Sequence, residues 1–147
     1  MFDLQGKKAL VTGASGGIGG AIAQALNAQG AEVGISGTRV DALDALAGEI
    51  GEGAHIVPAD LSSAEGAEQL AKDAVDVMGG IDILINNAGL TRDNLAMRLK
   101  DEDWQTVLDV NLTSAFRLSR AVLRGMMKAR WGRIIGISSI VGVTGNP

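Results

Sequence analysis

VTGASGGIGG, residues 11–20, stands directly after the run KKAL (7–10) and leads straight into a helical pattern. Gly13, Gly17 and Gly19 fall in a G-x-x-x-G-x-G spacing. Glycines at a strand-to-helix turn serve a purpose beyond turning the chain. A pyrophosphate can sit on the exposed N–H groups and positive dipole end of a helix only where no side chain intervenes. Gly19 would also let the helix pack closely on the strand. The motif is read as a phosphate-binding turn because the strand before it and the helix after it are both present; the bland reading is a tight turn without a ligand.

Short apolar runs recur outward from this turn: AEVGIS (31–36), AHIVP (54–58), IDILINN (81–87) and GRIIGIS (132–138). The run before the turn, IDILINN and GRIIGIS are nearly continuous in apolar residues, the pattern of strands covered on both faces. Helical spacing fills the intervals. Ile18, Ile22, Ala25 and Leu26 share one face, with Gly30 at the C′ position. Val40, Leu43, Leu46, Ala47 and Ile50 keep the period, and Ser62 with Glu65 reads as a capping box opening a helix whose inward side carries Leu70, Ala74, Val75 and Met78. The longest helix is expected from about Asp101 to about Ala129, with Trp104, Leu108, Ala115, Leu118, Val122 and Met126 inward. Strands alternating with helices imply right-handed crossovers. The expected fold is therefore α/β, a doubly wound parallel sheet of the Rossmann type with about five strands, in one domain over 1–147.

Composition narrows the function. The 147 residues are 46% hydrophobic and 20% charged, a globular balance, and the 21 glycines fit many tight turns and close backbone approaches. A net charge of −4 argues against a nucleic-acid partner, which calls for a basic face. With no cysteine and a single histidine, His55, read as a strand-edge residue, no metal site is expected. No apolar stretch approaches a membrane span and the amino-terminal run is too short for a signal peptide, so the expected compartment is the cytoplasm.

The end of the second strand bears on the choice of dinucleotide. Folds that prefer NAD place an acid there to hold the ribose 2′-hydroxyl. Here the stretch is GISGTRVDAL, with Gly37, Thr38 and Arg39 and no acid before Asp41. Thr38 and Arg39 can donate hydrogen bonds and charge to a 2′-phosphate, which selects NADP(H); the alternative is that Arg39 is a solvated side chain at a helix start.

Five motifs in order, TGASGGIG (12–19), ADL (59–61), NNAG (86–89), DVNL (109–112) and ISS (137–139), give the whole chain a resemblance to the short-chain dehydrogenase/reductases. Within that family, NNAGLTRDNLAMRLKDEDW and GRIIGISSIVGVTGNP look closely like the bacterial reductases of 3-oxoacyl groups on acyl carrier protein. The resemblance implies that Gly13, Ala14, Ser15, Gly16 and Ile18 form the pyrophosphate and ribose loop. It implies a 2′-phosphate contact at Thr38, adenine contacts at Asp60 and Leu61, and a ribose-side wall of Asn87, Ala88 and Gly89. Asn111 matches a helix asparagine that holds a water in a proton relay. Ser139 matches a catalytic serine that steadies the substrate carbonyl oxygen, with Ser138 as the competitor on residue type alone.

In the family that serine works with a tyrosine about a dozen residues on and a lysine beyond it. The chain contains no tyrosine. The expectation is thus the cofactor-binding part of a reductase, without the tyrosine–lysine segment and the last strands and helices of the sheet. Arg124, Lys128, Arg130 and Arg133 cluster near the end of the long helix. They read either as cations placed against its negative end or, through Arg130, as a contact for acyl carrier protein. The resemblance also implies a homo-tetramer built partly on this helix. Two further readings stay open: an inactive NADP-binding or oligomerisation module, and a related reductase acting on acetoacetyl-CoA or another small carbonyl compound.

Overall fold

A computed structural model describes residues 3–145. The elements follow one another as β1 (Lys8–Val11), α1 (Gly17–Ala28), β2 (Glu32–Ile35), α2 (Val40–Ile50), β3 (Ala54–Ile56), α3 (Ala64–Met78), β4 (Ile83–Asn86), α4 (Asp101–Leu108), a π-helical turn (Asp109–Thr113), α5 (Ser114–Ala129), β5 (Arg133–Gly136) and the short α6 (Val141–Thr144). The strands lie in the order β3-β2-β1-β4-β5, every pair parallel. This is the doubly wound arrangement expected from the sequence.

Alternation along each strand builds the two layers. Ala9, Val11, Val33, Ile35, Ile83 and Ile85 join one core with residues of α1 and α2, including Ala23, Leu43 and Leu46. Leu10 and Leu84 point the other way, into a core with Leu70, Ala74 and Met78 of α3 and Leu118, Val122 and Met126 of α5. Helix α1 ends as anticipated, with Gly30 in the left-handed region at φ +97°. His55 lies on the edge strand β3, its Nε2 3.4 Å from Glu32 Oε2 without hydrogen-bond alignment.

Four expectations shift. Ile18 is 65% exposed; the buried positions of α1 belong to Gly19, Gly20 and Ala23, because the first turn packs too closely on Gly13, Asn87 and Leu46 for larger side chains. Ala25 is likewise exposed. The capping box at Ser62 and Glu65 is replaced by Ser63, whose Oγ accepts from Gly66 N at 3.0 Å. Ser62 N–H instead donates to Asp60 Oδ1 at 2.9 Å, a local turn that moves the cap one residue on. Val75, on the far side of Ala74, is exposed.

The fourth shift has a single cause. The 101–129 helix is continuous but is not α-helical throughout, and its π turn displaces the phase by roughly one residue, about 100°. Trp104 would otherwise share a face with Leu118; it is 57% exposed, and α4 buries no residue. From the π turn onward the inward positions run Val110, Ser114, Leu118, Val122, Met126. The buried Ser114 hydroxyl donates to Val110 O at 2.6 Å, satisfying a carbonyl across the irregular turn.

The phase shift predicts a contrast in urea unfolding. Leu118→Ala should lose about 2–5 kcal/mol, as for a fully buried leucine. Trp104→Ala should lose about 1 kcal/mol or less. Equal losses would contradict the assigned phase.

Candidate functional site

In an open parallel sheet the chain leaves toward opposite layers on either side of β1, and ligands collect where the carboxyl ends of the strands diverge. Here that place is the gap beyond β1 and β4. It opens into a crevice of about 770 Å³ lined by Gly13, Ser15–Gly19, Ser36–Arg39, Ala59–Ser62, Asn87–Leu90, Arg92, Thr106 and Val110.

Thr12 holds the two sides together. Its hydroxyl, 1% exposed with the rest of the residue, donates to Ile85 O at 3.1 Å and accepts from Asn87 N and Ala88 N, each at 3.0 Å. Asn87 completes the seam: its Nδ2 donates to Thr12 O at 2.9 Å and Gly13 O at 3.2 Å. The sequence reading missed Thr12. The signal was present in a hydroxyl placed at the end of a buried strand, which must find partners.

The three motif glycines have different reasons to be glycine. Gly13 has φ +64°, and a Cβ on it would lie 2.9 Å from Ala88 Cα. A Cβ on Gly19 would overlap Gly13 O and lie 2.7 Å from Asn87 Nδ2. Gly17 differs, because a Cβ there meets nothing within 4 Å. No protein atom forbids a side chain at Gly17, which lines the crevice at the first residue of α1. The helix has no side-chain cap and no acid in its first turn, so its leading N–H groups face the crevice without an internal anion. That cradle fits a phosphate group.

Ala14 departs from its expected role. Its side chain is buried in the core and its N–H donates to Ser36 O at 2.8 Å, so it pins the loop to β2 and does not line the crevice. Across the crevice Thr38 and Arg39 form one rim, with the Arg39 guanidinium donating to Ser15 O. Asp60 is largely exposed. Its carboxyl is held below the ordinary carboxylate range, first by the Ser62 backbone N–H and then by the Ser62 hydroxyl, against a small desolvation. It is therefore an anion at neutral pH, able to accept from an amine.

Asn111 occupies the π turn, and its amide pairs with the backbone of Leu90. Oδ1 accepts from Leu90 N at 2.8 Å and Nδ2 donates to Leu90 O at 2.9 Å. The side chain thus acts as a clamp on the loop that follows Gly89, with one Nδ2 hydrogen and one Oδ1 lone pair left for another partner. Ser139 lies past the end of β5, exposed and outside the crevice lining; its Oγ accepts from Val141 N at 3.4 Å. Arg130 is exposed with φ +52° at the end of α5, at the opposite end of the sheet from the crevice. No helix among the described residues is long and apolar enough to cross a membrane.

A family model for short chain dehydrogenases matches residues 7–147. The chain belongs to the short-chain dehydrogenase family. It is 56% identical over 147 residues to nodulation protein G of Rhizobium sp. (strain N33), a match covering all of this chain and 60% of the relative. It is 50% identical over 145 residues to the 3-oxoacyl-(acyl-carrier-protein) reductase FabG of Vibrio cholerae, covering 99% of this chain and 59% of that one. A solved structure of a candidate short-chain alcohol dehydrogenase from Sinorhizobium meliloti 1021 superposes with a TM-score of 0.92 at 36% identity, over 99% of this chain and 59% of its own. The chain spans about 60% of the length of the curated relatives it matches. Family membership makes the dinucleotide reading of the crevice a nicotinamide one.

Thr12→Val keeps the shape and removes the hydroxyl, leaving the part-buried Ala88 N–H without its partner and Ile85 O and Asn87 N–H with only their backbone bonds. Stability should fall by about 1–3 kcal/mol or more, and Thr12→Ser should restore most of it in chemical denaturation. A Thr12→Val variant as stable as the parent would show that the seam does not depend on this hydroxyl.

Proposed function

We propose that the chain is the dinucleotide-binding part of an NADPH-dependent reductase that converts 3-oxoacyl thioesters on acyl carrier protein to 3-hydroxyacyl thioesters, as in fatty-acid elongation in the cytoplasm. The observation that carries the cofactor half is Gly17: open space above an uncapped helix start, in a crevice large enough for a dinucleotide. When bound, the nicotinamide supplies a hydride to a carbonyl carbon. The chain's own residues do the rest. The leading N–H groups of α1 hold the pyrophosphate, Thr38 and Arg39 receive a 2′-phosphate, Asp60 and Leu61 meet the adenine, and Asn87, Ala88 and Gly89 form the ribose side. The Arg39 guanidinium uses one donor on Ser15 O and has others to offer a phosphate.

The acyl-thioester half rests on the resemblance of 86–104 and 132–147 and on relatives that include such reductases. In this reading the Ser139 hydroxyl steadies the substrate carbonyl oxygen, and Asn111 positions the loop beside the nicotinamide by gripping Leu90. The chain has no tyrosine, so none of its residues matches the family tyrosine that gives the proton. Ile134 and Ile135 of β5 and Ile137 just past it are exposed apolar side chains. The oligomer is proposed on α5 and the π turn before it: Leu112, Phe116, Leu123 and Met127 form an exposed apolar stripe, suited to a second copy. Arg130 would touch the carrier protein. With Arg130 at the far end of the sheet, the crevice served by that contact would be a neighbouring subunit's.

Three measurements test this. Gly17→Asp should abolish NADPH binding in a fluorescence titration while leaving thermal stability nearly unchanged; unchanged affinity would remove the phosphate-loop assignment. Arg39→Ala should weaken NADPH about tenfold or more while sparing NADH, from the loss of a charge-assisted contact; an unaltered ratio would count against 2′-phosphate recognition. Phe116→Glu with Leu123→Glu should lower the oligomeric state in analytical ultracentrifugation, and an unaltered mass would move the interface elsewhere.

A further inference from the structure

A second, smaller hollow of about 220 Å³ opens beside the crevice, between the loop after β4 and helix α4. Its walls are Leu90, Arg92, Asp93, Leu99, Trp104 and Val107, with Asn111 at its edge. None of the roles assigned above uses it. We propose that this hollow is a ligand site for a small aromatic monocarboxylate, and that its occupation is coupled to the dinucleotide crevice.

Size and chemistry select the ligand. An apolar cavity of about 150 Å³ holds a benzene ring, so this hollow suits one ring with a short substituent. Leu90, Leu99 and Val107 supply an apolar surface, and Trp104 offers an uncovered aromatic face for stacking. Arg92 is the cation on the wall. Its Nε is 3.8 Å from Asp103 Oδ1, and both side chains are half exposed, so the ion pair holds it weakly and an incoming carboxylate can replace the aspartate. Asp93 sits on the same wall and opposes a second negative charge, which limits the ligand to one.

The coupling follows from shared walls. Leu90 and Arg92 line both cavities. Leu90 is gripped through both its N–H and its C=O by Asn111 on the π turn, so a ligand that shifts Leu90 must either break that clamp or move the crevice wall with it. By thermodynamic linkage, a dinucleotide that changes affinity for the aromatic acid is itself changed by the same factor. The ligand site stands on the hollow alone; the coupling rests on the dinucleotide reading.

The experiment uses phenylacetate as the probe, observed by saturation-transfer NMR on its ring protons. Binding should saturate with Kd of ~1 mM or tighter. It should weaken at least about fivefold in Arg92→Gln and in Trp104→Ala, and disappear in Val107→Phe, which fills the hollow. Asp93→Asn should tighten it. No saturable signal, or a signal indifferent to Val107→Phe and Arg92→Gln, would overturn the site and assign the contact to another apolar surface. NADPH should bind with an affinity altered about fivefold or more by saturating phenylacetate; an unaltered affinity would overturn the coupling. Phenylacetate binding without any NADPH binding would leave the site standing and remove the dinucleotide reading.

Discussion

Two parallel strands that send their chains to opposite layers leave a gap at their carboxyl ends, and here one buried hydroxyl bridges it. Thr12 connects Ile85 O, Asn87 N–H and Ala88 N–H through a single oxygen. The amide of Asn87 returns the connection to Thr12 O and Gly13 O. The position of the glycine loop relative to NNAG is therefore set by hydrogen bonds that are buried at Ile85 and part-buried at Asn87 and Ala88, where an unmet partner is costly. Both rims of the crevice inherit their spacing from that seam.

The crevice itself is built more from main chain than from side chains. Gly13 and Gly19 are small because protein atoms occupy the space beside them, and Gly17 is small with nothing there. The charged groups stand at the margins, Arg39 and Asp60 on one side and Arg92 on the other. Asn111 grips the backbone of Leu90 and so acts on the crevice by holding main chain.

Strand number, helix order and sheet type were legible because each rests on periodicity, and the glycine turn was legible because its spacing carries a steric reason. What escaped was local. Ala14 looks like a loop residue in sequence, yet its methyl fits the core and its N–H fits Ser36 O. The cap of α3 moved to Ser63 because Asp60 took the N–H of Ser62. The 101–129 helix was correct in extent and wrong in phase, since a period counted straight through a π turn carries Trp104 to the wrong face. Thr12 was passed over because a lone threonine in an apolar run does not announce that three partners wait for it.

The seam has a further consequence, in the order of assembly. Strands β1, β2 and β3 pair in chain order, each joined to the next by one crossover helix. The Thr12 bonds instead join residues 73 to 76 positions apart, and β4 must pass over two strands to reach β1. Closing a loop of that length carries a larger entropic penalty than forming the neighbouring pairs, and contacts of high sequence separation slow folding. The glycine loop and its helix belong to the early half of the chain, but the crevice does not exist until this long-range junction closes.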